Sequence, residues 1–347
     1  MRKREELADG HKHGFEPLER IDLDRISSFS DLTSQMARTS LAARQVGLAV
    51  DIMCAMFSDP HCTVVATLSG PMTFAKQDLV IADLIANGWI DAIVSTGAII
   101  VHSLVQDLGK AHFKHDPTWD DAALYEAGYN RVYDTVELER SLDEAEELVR
   151  QILARRQSKQ PLSSAELCHL LGEELIARGS ARGILQEAHR HNIPIFIPAF
   201  TDSELGLDVA IYNNRCDADK RIAFDPFLDL DSYTELVSRS EHLGIFTIGG
   251  GVPRNWAQQV GPYVDSMVRR GVGDFQKLNK FKYGVRISPE PVHWGGLSGC
   301  TYSEGVSWGK FVAPDEGGRF AEVFCDATVV LPLVVLAVRE RLKASRS

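Results

Sequence analysis

Short apolar runs alternate with amphipathic helical segments along most of this 347-residue chain. The runs are rich in Val and Ile, which is typical of strands that are covered on both faces. Parallel strands need long crossover connections, usually helices, so the alternation predicts an α/β fold with a doubly wound, mostly parallel sheet and helices on both faces. The predicted strands are residues 62–68, 90–96, 193–200, 244–250, 283–288 and 321–327. The predicted helices are 73–88, 97–108, 163–178, 181–191, 230–242 and a terminal helix.

The same alternation suggests one large domain. It begins after a segment with helical spacing at 31–59 and continues to the end of the chain, so we expect a single domain over residues 26–347. Residues 1–25 are charged and unpatterned, which predicts a mobile or loosely docked N-terminal arm. Residues 111–162 are more polar and contain the acidic helical segment 141–157, so we interpret them as a helical excursion from the sheet.

Charge, hydropathy and cysteine content exclude several classes of protein. The net charge of −11 disfavours a nucleic-acid partner. The most apolar run, residues 329–338, is too short to span a bilayer and contains Pro332, so it predicts a core helix and no membrane association. No C-x-x-C pair is present, so we expect reduced thiols in a cytoplasmic protein and no metal site. The cysteines are Cys54, Cys62, Cys168, Cys216, Cys300 and Cys325.

The segments after the predicted strands are the candidate functional loops, because ligands of such folds bind at the carboxyl ends of the strands. Backbone N–H groups at Gly/Ser/Thr turns and helix N-termini bind phosphates. One such loop alone is better explained as a tight turn, and the G-x-G-x-x-G fingerprint is absent. Together, on one sheet edge, the loops predict a nucleotide site. They are LSGPM (68–72), STGA (95–98), TDSELGLD (201–208), GGGVPRNW (249–256) and DAT (326–328).

One lysine has an unusual sequence setting. The segment SEGVSWGKF (303–311) places Lys310 among Val306, Trp308 and Phe311. Desolvation lowers the pKa of a lysine amine, and a neutral amine can form an imine with a carbonyl or exchange with another imine. The alternative is a lysine whose stem packs on Trp308 while its ammonium reaches water. The peptide alone leaves both interpretations open.

Five segments, taken together, resemble the deoxyhypusine synthase family over about residues 30–340. They are SEGVSWGK, GGGVPRNW, TDSELG, STGA and DAT. The resemblance implies an NAD-dependent homotetramer with a Rossmann-like sheet. Members of the family take the aminobutyl part of spermidine onto a lysine as an imine and pass it to a lysine of a translation factor. Homospermidine synthases of the same family pass it to putrescine instead.

The resemblance also implies roles for particular residues. Lys310 would form the imine, Trp308 would pack along the methylene chain of the polyamine, and Glu304 would hold a substrate ammonium. Asp202 and Asp326 would bind ribose hydroxyls of NAD. The residues that match cofactor positions of the family are Ser69, Thr73, Ser95, Thr96, Asp202, Gly249, Gly250, Gly251, Ser298, Asp326 and Ala327.

Other positions depart from the pattern of the family. Val101 and His102 stand where the family carries two glutamates, and Asn255 stands in place of its catalytic histidine. Asn255 can accept a hydrogen bond from a substrate amine but cannot carry a proton. We therefore expect His102 or His293 to supply proton transfer, with a histidine that fills a polar gap in the site wall as the alternative for each.

The changed positions also bear on the substrates. Two substrate aspartates of the family correspond to Leu297 and Leu207, although Asp208 stands beside the second. A diamine needs anionic or polar groups at both ends of its site, and Glu304 could bind one end while Asp208 or Glu204 binds the other. We therefore favour a small diamine acceptor, as in homospermidine synthase, over the protein lysine of a true deoxyhypusine synthase.

Two further classes of function compete with this transferase. An NAD-dependent amine dehydrogenase would release its imine to water, and simple hydride transfer would not need Lys310. A non-catalytic NAD- or polyamine-binding protein is compatible with the changed positions. The presence of Lys310, Glu304 and Trp308 together weighs against that second class.

Overall fold

The computed structural model of the protein describes residue 3 and residues 7–273 and 280–345. Six strands form one parallel sheet, and each predicted strand lies on one of them, so the predicted α/β fold with a mostly parallel sheet is confirmed. The strands of the whole molecule are β1 Cys62–Leu68, β2 Ala92–Ser95, β3 Phe113–Lys114, β4 Tyr129–Val132, β5 Thr135–Leu138, β6 Ile195–Phe196, β7 His242–Ile248, β8 Phe281–Ile287 and β9 Arg319–Val323.

Helices connect the strands and cover both faces of the sheet. Side chains of β1 alternate between two apolar cores, with Val64 and Ala66 in one and Val65 in the other. Because both faces are buried, the strand is a continuous apolar run instead of an alternating one. The helices are α1 Phe29–Ala37, α2 Leu41–Ser58, α3 Asp78–Ala86, α4 Gly97–Asp107, α5 Asp121–Glu126, α6 Glu139–Arg155, α7 Ser164–Ala177, α8 Ile184–Arg190, α9 Glu204–Arg215, α10 Pro226–Ser238, α11 Gly251–Arg270, α12 Tyr302–Ser307 and α13 Ala327–Ala344.

The strand order of the sheet identifies the edge where a ligand would bind. The order is β6-β2-β1-β7-β8-β9, which in chain order is the 3-2-1-4-5-6 arrangement of doubly wound nucleotide-binding folds. The chain leaves the adjacent strands β1 and β7 in opposite directions, and this opens a crevice at their carboxyl ends. Ser69 and Gly249 directly follow these two strands, so the crevice lies between loops that the sequence predicted to be functional.

The interpretation of residues 111–162 as a helical excursion is wrong in part. The region contains α5 and α6, but it also contains a three-stranded antiparallel sheet with the order β3-β5-β4. The strands β4 and β5 are joined by a turn at Tyr133 and Asp134, and Tyr133 adopts a positive φ of 53°. The β-branched and aromatic residues of YNRV and TVEL favour strands, and the polar composition around them hid that pattern.

The predicted N-terminal arm lies against the first helix in the part that the structure describes. The backbone N–H of Glu19 donates to Arg38 O at 3.1 Å, and that of Asp22 donates to Gln35 Oε1 at 2.7 Å. Residues 7–25 are exposed. The mobility predicted for residues 1–25 stays a prediction, and residues 1, 2 and 4–6 lie outside the described residues.

Two apolar helices pack in the core. By length and composition, α2 could cross a membrane, with a mean hydropathy of 1.3 over its 18 residues. It packs against α1, α13 and β9, its Val50 and Met53 are fully buried, and its Asp51 pairs with Arg341 of α13. The apolar run 329–338 lies within α13 and is also largely buried, as predicted for a core helix.

Candidate functional site

A glycine loop occupies the crevice between β1 and β7. Gly249 and Gly251 adopt positive φ values of 74° and 61°, which favour glycine, and α11 begins at Gly251. The backbone N–H of Gly250 donates to Ser69 Oγ at 2.8 Å. A Cβ atom at Gly250 would lie 2.5 Å from Ser298 Cα, so only glycine fits there. The loop therefore brings Ser69, the three glycines and Ser298 together at the start of a 20-residue helix, and helix N-termini are favourable positions for anions.

The loops after β2 and β6 meet beside this crevice. Ser95 is fully buried and donates to Thr96 O at 2.9 Å, and α4 begins at the next residue, Gly97. A Cβ atom at Gly97 would lie 2.0 Å from Ser203 Oγ, which places the Asp202 loop against the start of α4. Asp202 itself is exposed. The predicted residues of these two loops are therefore neighbours in space.

The remaining predicted nucleotide residues lie after β1 and β9, on the same sheet edge. Thr73 is buried, and its backbone oxygen accepts a hydrogen bond from Gln106 of α4 at 3.4 Å. Asp326 caps α13 by accepting from the N–H and hydroxyl of Thr328 at 2.7 and 2.6 Å, and Ala327 is the first residue of that helix. The capping role occupies one carboxylate oxygen of Asp326, so its predicted contact with a ribose stays a prediction.

Local backbone structure fixes the position of Lys310. Gly309 adopts a φ of 72° after α12, and the N–H of Lys310 donates to Gly305 O at 3.1 Å. The carbonyl of Lys310 accepts from Phe281 N, the first residue of β8, at 3.0 Å. The next residue, Phe311, is fully buried in the core. The lysine is therefore held between a short helix and the first residue of β8.

The amine of Lys310 lies in a cavity of about 260 Å³. The side chain is 8% exposed, and Nζ donates to Asn255 Oδ1 at 3.3 Å. Burial lowers the pKa of Lys310, and the charge of Arg254 adds to that shift while Cys300 and Glu304 oppose it. The cavity is lined by Asn255, Gln259, Val292, Gly295, Gly296, Leu297, Cys300, Glu304, Gly305, Trp308 and Lys310. The predicted residues Lys310, Glu304, Trp308 and Asn255 thus meet in one cavity.

The surroundings of this cavity differ from the sequence-based expectation in one respect. Trp308 is 63% exposed, so its ring lies at the rim, with its centroid 5.9 Å from Lys310 Nζ. Thr301 caps α12, because its side-chain hydroxyl accepts a hydrogen bond from Glu304 N at 3.1 Å. The apolar environment of Lys310 therefore comes from its burial and from Phe311, and less from the tryptophan.

His102 lies in a buried polar network and is not part of the cavity wall around Lys310. Glu137 is fully buried, with Oε2 2.9 Å from His102 Nδ1 and Oε1 2.7 Å from His112 Nε2. Lys76 Nζ lies 3.0 Å from His112 Nδ1, and the ring of Phe74 packs on both histidines. Burial acts to raise the pKa of Glu137, but the hydrogen bonds and charges of the two rings lower it below its ordinary value.

The same network is the group of residues that comes nearest to a metal site. Ligand-type atoms of His102, His112 and Glu137 lie within 4.8 Å of one another. The ammonium of Lys76 against His112 and the direct bond from His112 to Glu137 favour a hydrogen-bonded network over a divalent cation, which the lysine would repel. The short distance between Glu137 and His102 is compatible with both interpretations of His102, an acid/base group and a residue that fills a polar gap, so both stay open.

The other two predicted residues lie apart from Lys310. His293 is exposed on a short 3-10 turn whose neighbours Val292 and Gly295 line the cavity, and its ring contacts Trp294. Asp208 is buried on α9 and is absent from the cavity wall. Neither residue touches the amine of Lys310 in the part of the chain that the structure describes.

Several residues of the site were not predicted from the sequence. Gln259 lies four residues after Asn255 on α11, and that helical spacing could have identified it. Cys300 faces the cavity, and Arg254 supports it from beneath through hydrogen bonds to the backbone. No local pattern marks these two, because their position depends on contacts between distant segments.

Comparison with known proteins gives a consistent result. The model of the family described as deoxyhypusine synthase matches residues 31–338. "Probable deoxyhypusine synthase 2" of Methanosarcina mazei is 36% identical over 317 residues, 91% of this chain and 88% of the relative. The protein of the same name from Archaeoglobus fulgidus is 32% identical over 299 residues, 86% and 94% of the two chains. "Deoxyhypusine synthase-like protein" of Chlorobaculum tepidum is 31% identical over 327 residues, 93% and 90%.

Solved structures show the same fold at low sequence identity. A candidate deoxyhypusine synthase from Entamoeba histolytica has a TM-score of 0.58 and 16% identity, covering 92% of this chain and 96% of that one. AgrE, solved as a ternary complex with ornithine and NAD+, has a TM-score of 0.52 and 13% identity, covering 88% of this chain and 35% of that one. At these identities the likeness concerns the fold alone.

The buried Asp208 predicts a pH-dependent stability. Burial raises its pKa from 3.8 to about 7, with contributions from Glu146, Glu204 and Asp143. Between these values the folded state binds more protons than the unfolded state, so stability falls as the pH rises through this window. Asn imitates the protonated acid, so we expect Asp208→Asn to be more stable than the wild type at pH 8 and nearly equal to it at pH 4. Urea unfolding at both pH values tests this, and an equal difference at the two would contradict it.

Proposed function

Because the chain belongs to the deoxyhypusine synthase family, we propose that it is an NAD-dependent transferase that moves an aminobutyl or similar aminoalkyl group from a polyamine to an amine acceptor through Lys310. The observation that carries the proposal is the buried amine of Lys310, which shares a cavity of about 260 Å³ with the carboxylate of Glu304. An amine nucleophile and an anion for a substrate ammonium are the two groups that such a transfer needs.

Lys310 carries the transferred group. Its neutral amine adds to the C=N carbon of the oxidised donor, and the donor's remaining amine leaves, so that the group is held on Lys310 as an imine. The acceptor amine then adds to the same carbon, and the C–N bond to Lys310 breaks. The lowered pKa of Lys310 supports this exchange, because only the unprotonated amine is a nucleophile.

NAD, when bound, supplies the hydride acceptor for the donor and the hydride donor for the product, so the overall transfer involves no net oxidation. The crevice between β1 and β7 supports a pyrophosphate site, because nucleotides bind at this position of doubly wound folds and the glycine loop leads into the N-terminus of α11. Ser69 and Ser298 would hold the cofactor beside that loop, and Asp202 and Asp326 would bind ribose hydroxyls. Thr73, Ser95, Thr96 and Ala327 line the neighbouring loops. AgrE, which has a similar fold, was solved with NAD+.

The residues that line the cavity also indicate which kind of acceptor amine would bind there. Glu304 is the carboxylate on the described cavity wall, and Leu297 stands where the family has a substrate aspartate. This arrangement supports a small diamine acceptor, with one ammonium at Glu304 and hydrogen bonds to Asn255 and Gln259. Proton transfer would come from His102 or His293, and Asp208 could hold an ammonium only if the substrate extends beyond this cavity.

A protein lysine is the second candidate acceptor, and one observation favours it. Val292, Trp294 and Leu297 are exposed around the cavity, and exposed apolar side chains of this kind are typical of a protein-binding surface. Another copy of the chain is a second candidate to cover this surface, because we propose that the protein is a homotetramer. We also propose that it is cytoplasmic and binds no nucleic acid. Light scattering at the concentrations of the activity assay would test that assembly.

The transfer depends on Lys310 as a nucleophile. We expect Lys310→Arg to lower the rate of transfer from spermidine by roughly 10⁴-fold or more, since arginine keeps the charge but cannot become a neutral amine. Each assay would contain spermidine as the donor and NAD+. Mass spectrometry of the products would compare three acceptors: putrescine, agmatine and a translation factor that carries the acceptor lysine.

Control measurements test the covalent role of Lys310 separately from the identity of the acceptor. Thermal unfolding and NAD+ binding of Lys310→Arg should match the wild type. Turnover by this variant at the wild-type rate would contradict the covalent role of Lys310. Labelling of the protein acceptor alone would overturn the preference for a small diamine and leave the role of Lys310 intact.

The glycine loop predicts a defined effect on the cofactor. In Gly250→Ala the new Cβ would overlap Ser298 Cα, so the loop must open, and we expect NAD+ to bind at least about tenfold more weakly in titration calorimetry. Gly271→Ala is the control, because Gly271 lies at the other end of α11, its Cβ would meet nothing within 4 Å, and the substitution adds only backbone strain at a φ of 65°. Equal NAD+ affinity of Gly250→Ala and the wild type would argue against this cofactor site.

A further inference from the structure

Arg254 is a buried cation with no ion-pair partner among the described residues. It lies on α11, is 2% exposed, and donates through Nη1 to Cys300 O at 2.7 Å and to Leu297 O at 3.3 Å. Its guanidinium lies 5.3 Å from the ring centroid of Tyr302. Its Nε and Nη2 have no hydrogen-bond partner among the described residues, and no described carboxylate lies within 4.0 Å.

A second buried arginine, Arg286, provides a comparison for Arg254, because it binds the same backbone carbonyl and also forms an ion pair. Arg286 is 1% exposed and donates to the same carbonyl of Cys300 at 3.1 Å and to Ser298 O. Unlike Arg254, it pairs with a carboxylate, Glu322, at 3.2 Å. The other oxygen of Glu322 accepts from Tyr302 N at 2.7 Å. The nearby carboxylate is thus already paired with Arg286, and Arg254 makes no ion pair within 4.0 Å among the described residues.

A buried charge without an ion pair lowers the stability of the fold, so its presence at a cavity suggests a functional role. Arg254 supports two residues of the Lys310 cavity, Leu297 and Cys300, through their carbonyls. Its neighbour on α11, Asn255, accepts the hydrogen bond of Lys310 Nζ. The guanidinium and the lysine amine are therefore attached to the same cavity wall, and the charge of Arg254 lowers the pKa of Lys310.

We propose that Arg254 is a positioning residue: its hydrogen bonds hold the cavity wall at 297–300, and its positive charge behind that wall disfavours a second cation at Lys310. A guanidinium suits this role because it stays charged even when buried. The catalytic use of the neutral amine rests on the proposed function, but the electrostatic effect on Lys310 does not.

The other charged groups around the two residues act in known directions. Burial lowers the pKa of Lys310 first, and Arg254 lowers it further, while Cys300 and Glu304 raise it. Burial also lowers the pKa of Arg254, and Tyr302, Cys300 and Glu322 oppose that shift while Arg286 adds to it. A guanidinium begins so far above neutral pH that it remains protonated in this range.

The test measures the protonation of Lys310 directly. Competitive labelling with acetic anhydride between pH 6 and 11, followed by mass spectrometry of the Lys310 peptide, gives the pH at which this amine becomes reactive. In Arg254→Met we expect that midpoint to rise by about 1 pH unit, because a nearby like charge disfavours the ammonium. In Arg254→Lys the midpoint should stay nearer to the wild type, since the positive charge is kept.

Arg286→Met is the matched control, because it removes a buried arginine from the same carbonyl but breaks an ion pair. It should lower the melting temperature more than Arg254→Met and leave the midpoint of Lys310 in place. Should Arg254→Met fail to fold, Arg254→Gln keeps a donor for Cys300 O and removes only the charge, so it is expected to show the same rise.

Two results would overturn the inference. One is an unchanged midpoint in Arg254→Met or Arg254→Gln. The other is an equal shift in Arg254→Lys and Arg254→Met, which would mean that the hydrogen bonds matter and the charge does not. The labelling needs neither NAD+ nor a polyamine, so it can succeed even if no group is transferred to Lys310, and the failure of the proposed function would be seen separately.

Discussion

The pairing of β1 with β7 decides where every loop of the candidate site lies. The two strands run parallel in register from Cys62 opposite His242 to Leu68 opposite Ile248, buried on both faces. Because the chain leaves them in opposite directions, their ends cannot be closed by helices, and a crevice remains. Gly250 and Ser69 join across it by one hydrogen bond. A shift of register at this pair would separate the glycine loop from every residue predicted to face it.

The second half of the site depends on the crevice through α11. That helix begins at the glycine loop, places Asn255 on the amine of Lys310, and passes Gly261 close to the backbone of Gly309. One helix thus connects the proposed cofactor crevice with the lysine cavity. The chemistry proposed for the molecule needs a neutral amine, and burial together with the positive charge of Arg254 favours that state. Burying reactive groups away from water lowers the stability of the fold, which is usual at functional sites.

The sequence predicts features that depend on neighbouring residues, and it misses features that depend on contacts between distant segments of the chain. The six strands could be predicted because buried parallel strands are continuous apolar runs, and Glu304, Trp308 and Lys310 because they share one peptide. The strand β5, which carries Glu137, was missed because polar residues surround it, so the network around His102 could not be foreseen. The unpaired state of Arg254 depends on which arginine takes Glu322, and no local pattern encodes that choice.

The central claim is that Lys310 holds the transferred group as an imine, and chemical trapping tests it most directly. The protein would be incubated with NAD+ and each of several polyamines, reduced with borohydride, and digested for mass spectrometry. The account predicts an aminoalkyl group of about four carbons on Lys310, formed only when NAD+ and a suitable donor are both present. Turnover of the donor with no adduct on Lys310, or an adduct on another lysine, would contradict it.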